Sequence, residues 1–122
     1  MVIEPEILVR VVIVDCLRTC GYKVIETSAP DEVFTVLRTE IEIDVVLGHL
    51  RHLQANGNFN LASEIRKHRP DIALILTSGL ANAAEKTSEL CADTAKKNPF
   101  PPEEIMRRIK FLRARMRPSI AR

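Results

Sequence analysis

Three polar side chains follow short apolar runs, at positions where chemistry could take place. His49 comes directly after the run IDVVLG, Thr77 closes the run IALILT, and Glu4 follows MVI. Carboxylates and imidazoles bind metal ions, a histidine can accept a phosphoryl group, and a hydroxyl can contact an anion. His49 and His52, together with Glu4, are therefore candidate ligands of a metal ion. His49 alone is a candidate phosphohistidine.

The three cysteines, Cys16, Cys20 and Cys91, form an odd set without the spacing of a metal site or a disulfide framework. Cys16 and Cys20 are four residues apart, which is the spacing of neighbours on a helix and not a C-x-x-C motif. We expect reduced thiols buried in the core, as in a cytosolic protein, rather than a disulfide or a metal site.

The 122 residues are about the length of one domain, and we expect a single domain over 1–122. Hydrophobic residues make up 46% and charged residues 28%, which excludes a disordered or collagen-like chain. A net charge of +2 is too small to indicate a nucleic-acid binder. No apolar run reaches the roughly 18 residues of a membrane span, and the acidic N-terminus is unlike a signal peptide. The composition predicts a soluble, cytoplasmic protein that does not contact a membrane.

Short aliphatic runs alternate with longer amphipathic stretches, a pattern that indicates an α/β fold with a parallel sheet. The run 43–48 is almost continuously apolar, as expected of a strand that is buried on both faces. Strands are predicted at 1–4, 23–27, 43–48 and 71–79, with a fifth near 94–97.

The segment VVIVD (11–15) supports two interpretations. By composition it is a strand, but then only residues 16–20 would remain before Gly21, too few for a crossover helix. In the second interpretation residues 6–20 form a helix that Gly21 ends, at a cost of about a few tenths of a kcal/mol for each β-branched residue. We prefer the second interpretation because it gives a crossover of ordinary length.

Further helices are predicted from capping residues and periodicity. One begins after Ser28, where Asp31 completes a capping box. Another spans 59–69, and the segment 81–91 forms an Ala-rich helix that is only weakly amphipathic, so we expect it to be exposed. The last helix begins at 101–104. Its apolar stripe consists of Ile105, Ile109, Leu112 and Met116.

Three segments together resemble the receiver domain of bacterial response regulators, the CheY-like family. They are GYKVIETSAPDEV (21–33), RPDIALILTSG (69–79) and NPFPPEEIMRRI (98–109). They are similar to the second strand with its helix start, the fourth strand with its terminal hydroxyl, and the turn before the last helix. The resemblance covers nearly the whole chain. It implies a doubly wound, flavodoxin-like (βα)5 sandwich with a five-stranded parallel sheet in the order 2-1-3-4-5, and no output domain.

Receivers hold Mg²⁺ with an acidic pair and an Asp at the end of the third strand, and that Asp takes a phosphoryl group from a partner kinase. In this sequence the acidic pair falls on Glu4 and Pro5, and the Asp position falls on His49. The hydroxyl that contacts the phosphoryl oxygens falls on Thr77 and is kept. The resemblance therefore implies a phosphorylation site that keeps one carboxylate, that of Glu4, and has lost the other two.

Two further receiver positions are changed. The Lys that contacts the phosphoryl group falls on Asn98, and the aromatic residue that turns inward falls near Ala95. The single carboxylate of Glu4 offers too few oxygens for the shell of a Mg²⁺ ion, so we expect no bound cofactor and no catalytic residue. The sequence resembles a pseudo-receiver, that is, a receiver without its phosphorylation chemistry, and we do not expect an enzyme.

The resemblance implies a protein partner from a two-component pathway: a histidine kinase, a phosphotransfer protein or another regulator. Such a partner, or a second copy in a homodimer, could bind the basic last helix, where Arg108 and Arg115 are the candidate contacts. Two alternatives stay open. One is a receiver that accepts phosphoryl groups on His49, and the other is a small protein that binds anions or nucleic acid through the last helix. We disfavour nucleic acid because no interleaved aromatic residues or recognition motif accompany the basic residues.

Overall fold

Four parallel strands form the sheet in the described part of the chain. The computed structural model describes residues 1–49, 61–93 and 100–116. Its strands are β1 (Val2–Ile3), β2 (Glu26–Thr27), β3 (Val45–His49) and β4 (Ala73–Thr77), in the order β2-β1-β3-β4. The predicted α/β class with a parallel sheet is confirmed. The fifth strand predicted near 94–97 lies outside the described residues.

The second strand is shorter than its sequence pattern predicts. We expected a strand over 23–27, but only Glu26 and Thr27 pair with β1, opposite Val2 and Ile3. The reason is that β1 itself has only these two residues in the ladder. Residues 23–25 therefore do not lengthen the strand. Their backbone hydrogen bond to β1 runs from the Val2 N–H to the Ile25 carbonyl, at 2.9 Å.

The helices connect and cover the strands. Within the described residues they are α1 (Ile7–Thr19), α2 (Pro30–Leu37), α3 (Leu61–His68), α4 (Leu80–Ala92) and α5 (Pro102–Met116). Each overlaps the range predicted for it, and α4 extends one residue further at each end. None of these helices is both long enough and apolar enough to cross a membrane.

The segment VVIVD belongs to α1, so the helical interpretation of residues 6–20 is confirmed. Gly21 ends the helix with a positive φ of 106°, a backbone conformation that glycine adopts without steric cost. The Gly21 N–H donates to the Arg18 carbonyl and the Tyr22 N–H donates to the Leu17 carbonyl, both at 3.0 Å. These bonds satisfy carbonyl groups that the end of a helix leaves open.

The start of α2 differs in detail from the predicted capping box. Asp31 was the expected partner of Ser28, but the Ser28 N–H and hydroxyl both donate to the carboxylate of Glu32, each at 3.1 Å. The capping residue is Ala29, so Ser28 lies one position before the cap. From there the carboxylate within reach is four residues ahead and not three.

Alternate side chains of the strands enter two separate cores, one on each face of the sheet. Val2 and Leu47 are buried on the face covered by α1, α4 and α5. Ile3 and Val46 are buried on the face covered by α2 and α3. The helix layer of α1, α4 and α5 is the larger of the two, and we call it the three-helix layer.

The expectation that the Ala-rich helix would be exposed is wrong. Helix α4 buries Ala83, Ala84, Thr87 and Cys91 against α1 and α5. Its buried side is made of small and polar residues, so the hydrophobic periodicity was weak. Thr87 is tolerated there because its hydroxyl donates to the Ala83 carbonyl at 2.8 Å, which satisfies a buried polar group.

The expectation of three reduced cysteines is also wrong. Cys20 and Cys91 form a disulfide, with their Cα atoms 5.4 Å apart, and Cys16 remains a free, buried thiol. The bond joins the residue after α1 to the last turn of α4. Because 71 positions separate the two cysteines along the chain, their spacing carried no sign of this pairing.

Candidate functional site

The carboxyl edge of the sheet brings together three of the side chains selected from the sequence. Ile3 of β1 is paired with Gly48 of β3, which places Glu4 and His49 at the same level of neighbouring strands. His49 is paired with Thr77 of β4. Glu4, His49 and Thr77 thus lie along one edge, and we call them the edge residues.

The carboxylate of Glu4 is engaged with the backbone that follows it. Its Oε1 accepts a hydrogen bond from the Glu6 N–H at 2.9 Å, and its backbone carbonyl accepts one from the Arg10 guanidinium at 2.8 Å. Pro5 is exposed next to it and has no side-chain oxygen. The side chain of Glu4 therefore stabilises the turn that leads into α1.

The hydroxyl of Thr77 is turned into the sheet. Thr77 is 3% exposed, and its Oγ1 donates to the Gly48 carbonyl of the neighbouring strand at 3.4 Å. The following Ser78 N–H donates to the Asn82 side chain at 3.1 Å, which helps to start α4. Thr77 therefore joins β3 to β4, and His49 beside it is half-buried.

The edge residues do not fit a Mg²⁺ ion, which needs several hard oxygen ligands in a near-octahedral shell. The edge brings one carboxylate, already bonded to a backbone N–H, and one hydroxyl bonded to a carbonyl. Among the described residues, no group of three or more His, Cys, Asp or Glu is placed to hold a metal. Ala95, Asn98 and His52 lie outside the described residues.

The arginines of α5 form a second set of polar contacts, and the sequence did not indicate their partners. Arg107 and Arg108 both bind the carboxylate of Glu104, with N–O distances of 2.6 and 3.1 Å. These hydrogen bonds lower the pKa of Glu104 to about 2. Arg113 reaches Glu6 at the start of α1, at 2.6 Å.

The two arginines predicted as partner contacts differ in how many contacts they make within the protein. Arg108 also approaches Asp15 of α1 at 3.8 Å, and its guanidinium lies 4.7 Å from the centre of the Phe100 ring. Arg115 lies over the Phe111 ring at 5.5 Å and is otherwise exposed. Arg108 therefore holds α5 against α1, and Arg115 is the more accessible of the two.

A cavity of about 530 Å³ opens at the opposite, amino edge of the sheet, where the sequence had indicated no site. Its wall includes Leu17, Tyr22 and Leu90, together with the polar residues Lys23 and Asp44. The Tyr22 hydroxyl is used within the wall, since it donates to the Leu90 carbonyl at 2.7 Å.

Comparison of the chain with protein families, with curated proteins and with solved structures found no match.

Proposed function

We propose that this protein is a degenerate receiver, which works by binding a protein partner and not by accepting a phosphoryl group. The observation that carries the proposal is the meeting of Glu4, His49 and Thr77 at one edge of a parallel sheet. In a receiver the corresponding positions hold the metal ion and the phosphoryl group. Here they bring one carboxylate, one imidazole and one hydroxyl, and Pro5 stands where a second acid would be.

The proposal extends to the whole of this sequence as one CheY-like domain. The order β2-β1-β3-β4 agrees with the first four places of the order 2-1-3-4-5, and a fifth strand would then lie beside β4. The partner class is a histidine kinase, a phosphotransfer protein or another regulator of a bacterial two-component pathway.

The chemistry of phosphoryl transfer explains why the edge residues favour binding over catalysis. The protein's part in that reaction is to position the groups and to compensate the charge on the phosphoryl oxygens. Pro5 removes a metal ligand and Asn98 removes a cation. Loss of one such electrostatic contact typically costs about 3 kcal/mol in the barrier. We therefore propose that the protein is not an enzyme.

The first test asks whether the site binds Mg²⁺ with beryllofluoride, a phosphoryl mimic. Titration calorimetry should give no saturable heat, because the edge supplies one carboxylate that is already hydrogen-bonded. A one-to-one binding isotherm would contradict the proposal.

The second test asks what would restore the reaction. His49→Asp alone should remain unlabelled after incubation with acetyl phosphate, because it still lacks the second acid and the cation. The triple variant Pro5→Asp, His49→Asp, Asn98→Lys should gain a phosphoryl adduct that mass spectrometry detects. Labelling of the native protein that is lost in His49→Ala would favour the alternative of a phosphorylated histidine.

The third test concerns the partner. The immobilised chain should retain two-component proteins from the source cells, and an excess of the free chain should release them. Retention of nucleic acid with a steep salt dependence would instead favour the alternative of a basic binding helix. Retention of neither would contradict the proposal.

A cytoplasmic location is part of this proposal, and the disulfide between Cys20 and Cys91 argues against it, so the redox state of the pair in cells is a direct test. Disulfides are rare in the reducing cytosol and persist in oxidising compartments. Alkylation of intact cells, followed by mass spectrometry of Cys20 and Cys91, should find both residues as thiols if the protein is cytoplasmic. A bridged pair in freshly quenched cells would argue against the cytoplasm.

A further inference from the structure

The outer surface of α1 and α5 carries apolar side chains that the fold leaves uncovered. Ile7 and Val11 of α1 are 60% and 46% exposed, and Phe111 of α5 is 55% exposed. Ile7 and Val11 are four residues apart, so they lie on the same side of α1. We call the surface formed by these three residues and the groove between the two helices the α1–α5 face.

Two ion pairs show how the helices lie beside each other. Glu6, at the start of α1, binds Arg113 near the end of α5, and Asp15 in the second half of α1 approaches Arg108. The helices are therefore antiparallel, and Val11 lies level with Phe111. The groove between them has a volume of about 360 Å³, and its lining includes the apolar side chains of Val12 and Leu112.

Charge is divided across the face. The acids on the α1 side are Glu6 and Asp15. The other charged residues of that helix, Arg10 and Arg18, are turned away toward Glu26, at 3.3 and 3.5 Å. The α5 side carries the cations Arg107, Arg108, Arg113 and Arg115. Glu104 compensates part of this charge, because Arg107 and Arg108 share its carboxylate, and the α5 side keeps a net positive charge. An acidic edge and a basic edge thus flank an apolar centre.

We propose that a second copy of this chain covers the α1–α5 face, in a dimer whose two-fold axis runs parallel to α1 and α5. Rotation about this axis lays α1 of one copy against α5 of the other. Asp15 then meets Arg107 and Arg108 of the second copy, and Val11 meets Phe111. The face is complementary to itself, as an interface between two identical subunits requires.

The other in-plane two-fold axis, perpendicular to the helices, is disfavoured by charge. It would lay α1 against α1 and α5 against α5, so that acids face acids and arginines face arginines. Like charges brought together in this way oppose association. For a second copy on this face, the charge division therefore favours the axis parallel to the helices.

The size of the face sets the expected strength of the dimer. Helix α1 has 13 residues and α5 has 15, so each is about 20 Å long. A specific interface buries roughly 800 Å² per partner, and the area that two such helices can bury side by side is near the lower limit for such an interface. We expect a dimer that dissociates on dilution. This inference does not rest on the proposed function.

The association is tested by sedimentation velocity over a roughly hundredfold range of protein concentration. The native chain should move from monomer toward twice the monomer mass as the concentration rises. Val11→Asp should stay monomeric, because it places an acid in the apolar centre. Ile41→Asp is the matched control: Ile41 is 49% exposed and lies outside the face, so this variant should dimerise like the native chain. Thermal unfolding of both variants checks that they are folded.

The orientation is tested with Val11→Cys and Phe111→Cys, oxidised separately and as a mixture. The mixture should give more covalent dimer than either variant alone, because Val11 of one copy faces Phe111 of the other. Stronger linking of Val11→Cys with itself would overturn the proposed axis. A native chain that stays monomeric at all concentrations, or a dimer that survives Val11→Asp, would overturn the proposal.

Discussion

The carboxyl edge of the sheet and the three-helix layer differ in what their polar side chains contact. At the edge, Glu4 and Thr77 bond to backbone groups of their own or the neighbouring strand region. The three-helix layer also has bonds to the backbone, such as that of Thr87, but it adds links between side chains: Glu104 binds Arg107 and Arg108, and Cys20 is joined to Cys91.

A ligand would be expected at the carboxyl edge of the sheet, but the contacts between distant side chains lie in the three-helix layer. The edge has the position of a site in an open parallel sheet, but its polar groups are occupied by local structure. Among the described residues, the three-helix layer holds links between partners far apart along the chain, and its outer surface carries exposed apolar side chains. We infer that binding through helix surfaces suits this chain better than chemistry at the edge.

The largest expected effect comes from removing the link between α1 and α4. The double variant Cys20→Ala, Cys91→Ala should lose roughly 4 kcal/mol of unfolding free energy, because the bond closes a loop over a separation of 71 residues. Urea unfolding measures the change. A reductant should lower the stability of the native chain to that of the variant and leave the variant unchanged. Equal stability of the two proteins without reductant would show that the layer does not depend on this bond.

The next effect concerns the apolar centre of the same layer. Ile109 of α5 is fully buried, so Ile109→Ala should cost about 3 kcal/mol through lost burial and the cavity left behind. Lys110→Ala, at the adjacent exposed position, is the matched control and should change stability by less than about 0.5 kcal/mol. If the two variants were equally stable in urea, α5 would not be part of the core.

At the sheet edge the expected effect is smaller. Thr77→Val keeps the shape of the side chain and removes the hydrogen bond to the Gly48 carbonyl, so it should cost about 1 kcal/mol in urea unfolding. Thr77→Ser keeps the hydroxyl and separates the loss of the bond from the loss of the methyl group. A cost in Thr77→Val as large as that of Ile109→Ala would break the contrast between the edge and the layer.

The smallest effect depends on pH. The pKa of Glu104 is lowered from 4.5 to about 2 by hydrogen bonds from Arg107 and Arg108. Its contribution to stability is therefore fully present above about pH 4.5 and is lost as the pH falls toward 2. Glu104→Gln should be slightly less stable than the native chain at pH 7, with the difference vanishing near pH 2.

Thermal unfolding at a series of pH values measures that difference, and Glu103→Gln, one residue earlier, is the control. A gap between native and Glu104→Gln proteins that stays constant down to pH 2 would mean that the carboxylate does not bind these arginines in solution.

The local elements could be predicted from the sequence because each has a local cause. Gly21 supplies the positive φ that ends α1, and the helical interpretation of VVIVD followed from the space that a crossover needs. The runs that became β3 and β4 are short, aliphatic and bounded by polar residues. The placement of Glu4, His49 and Thr77 along one edge is consistent with those strands being parallel and in register.

The contacts between elements could not be predicted in the same way. Hydrophobic periodicity and glycine act over a few residues, so the sequence alone predicted most of the helices and strands. The packing of α4 beside α1, the pairing of Cys20 with Cys91 and the contact of Arg113 with Glu6 depend on how those elements assemble. These partners are far apart along the chain. No local pattern distinguishes a side chain that will meet one of them from a side chain that will meet water.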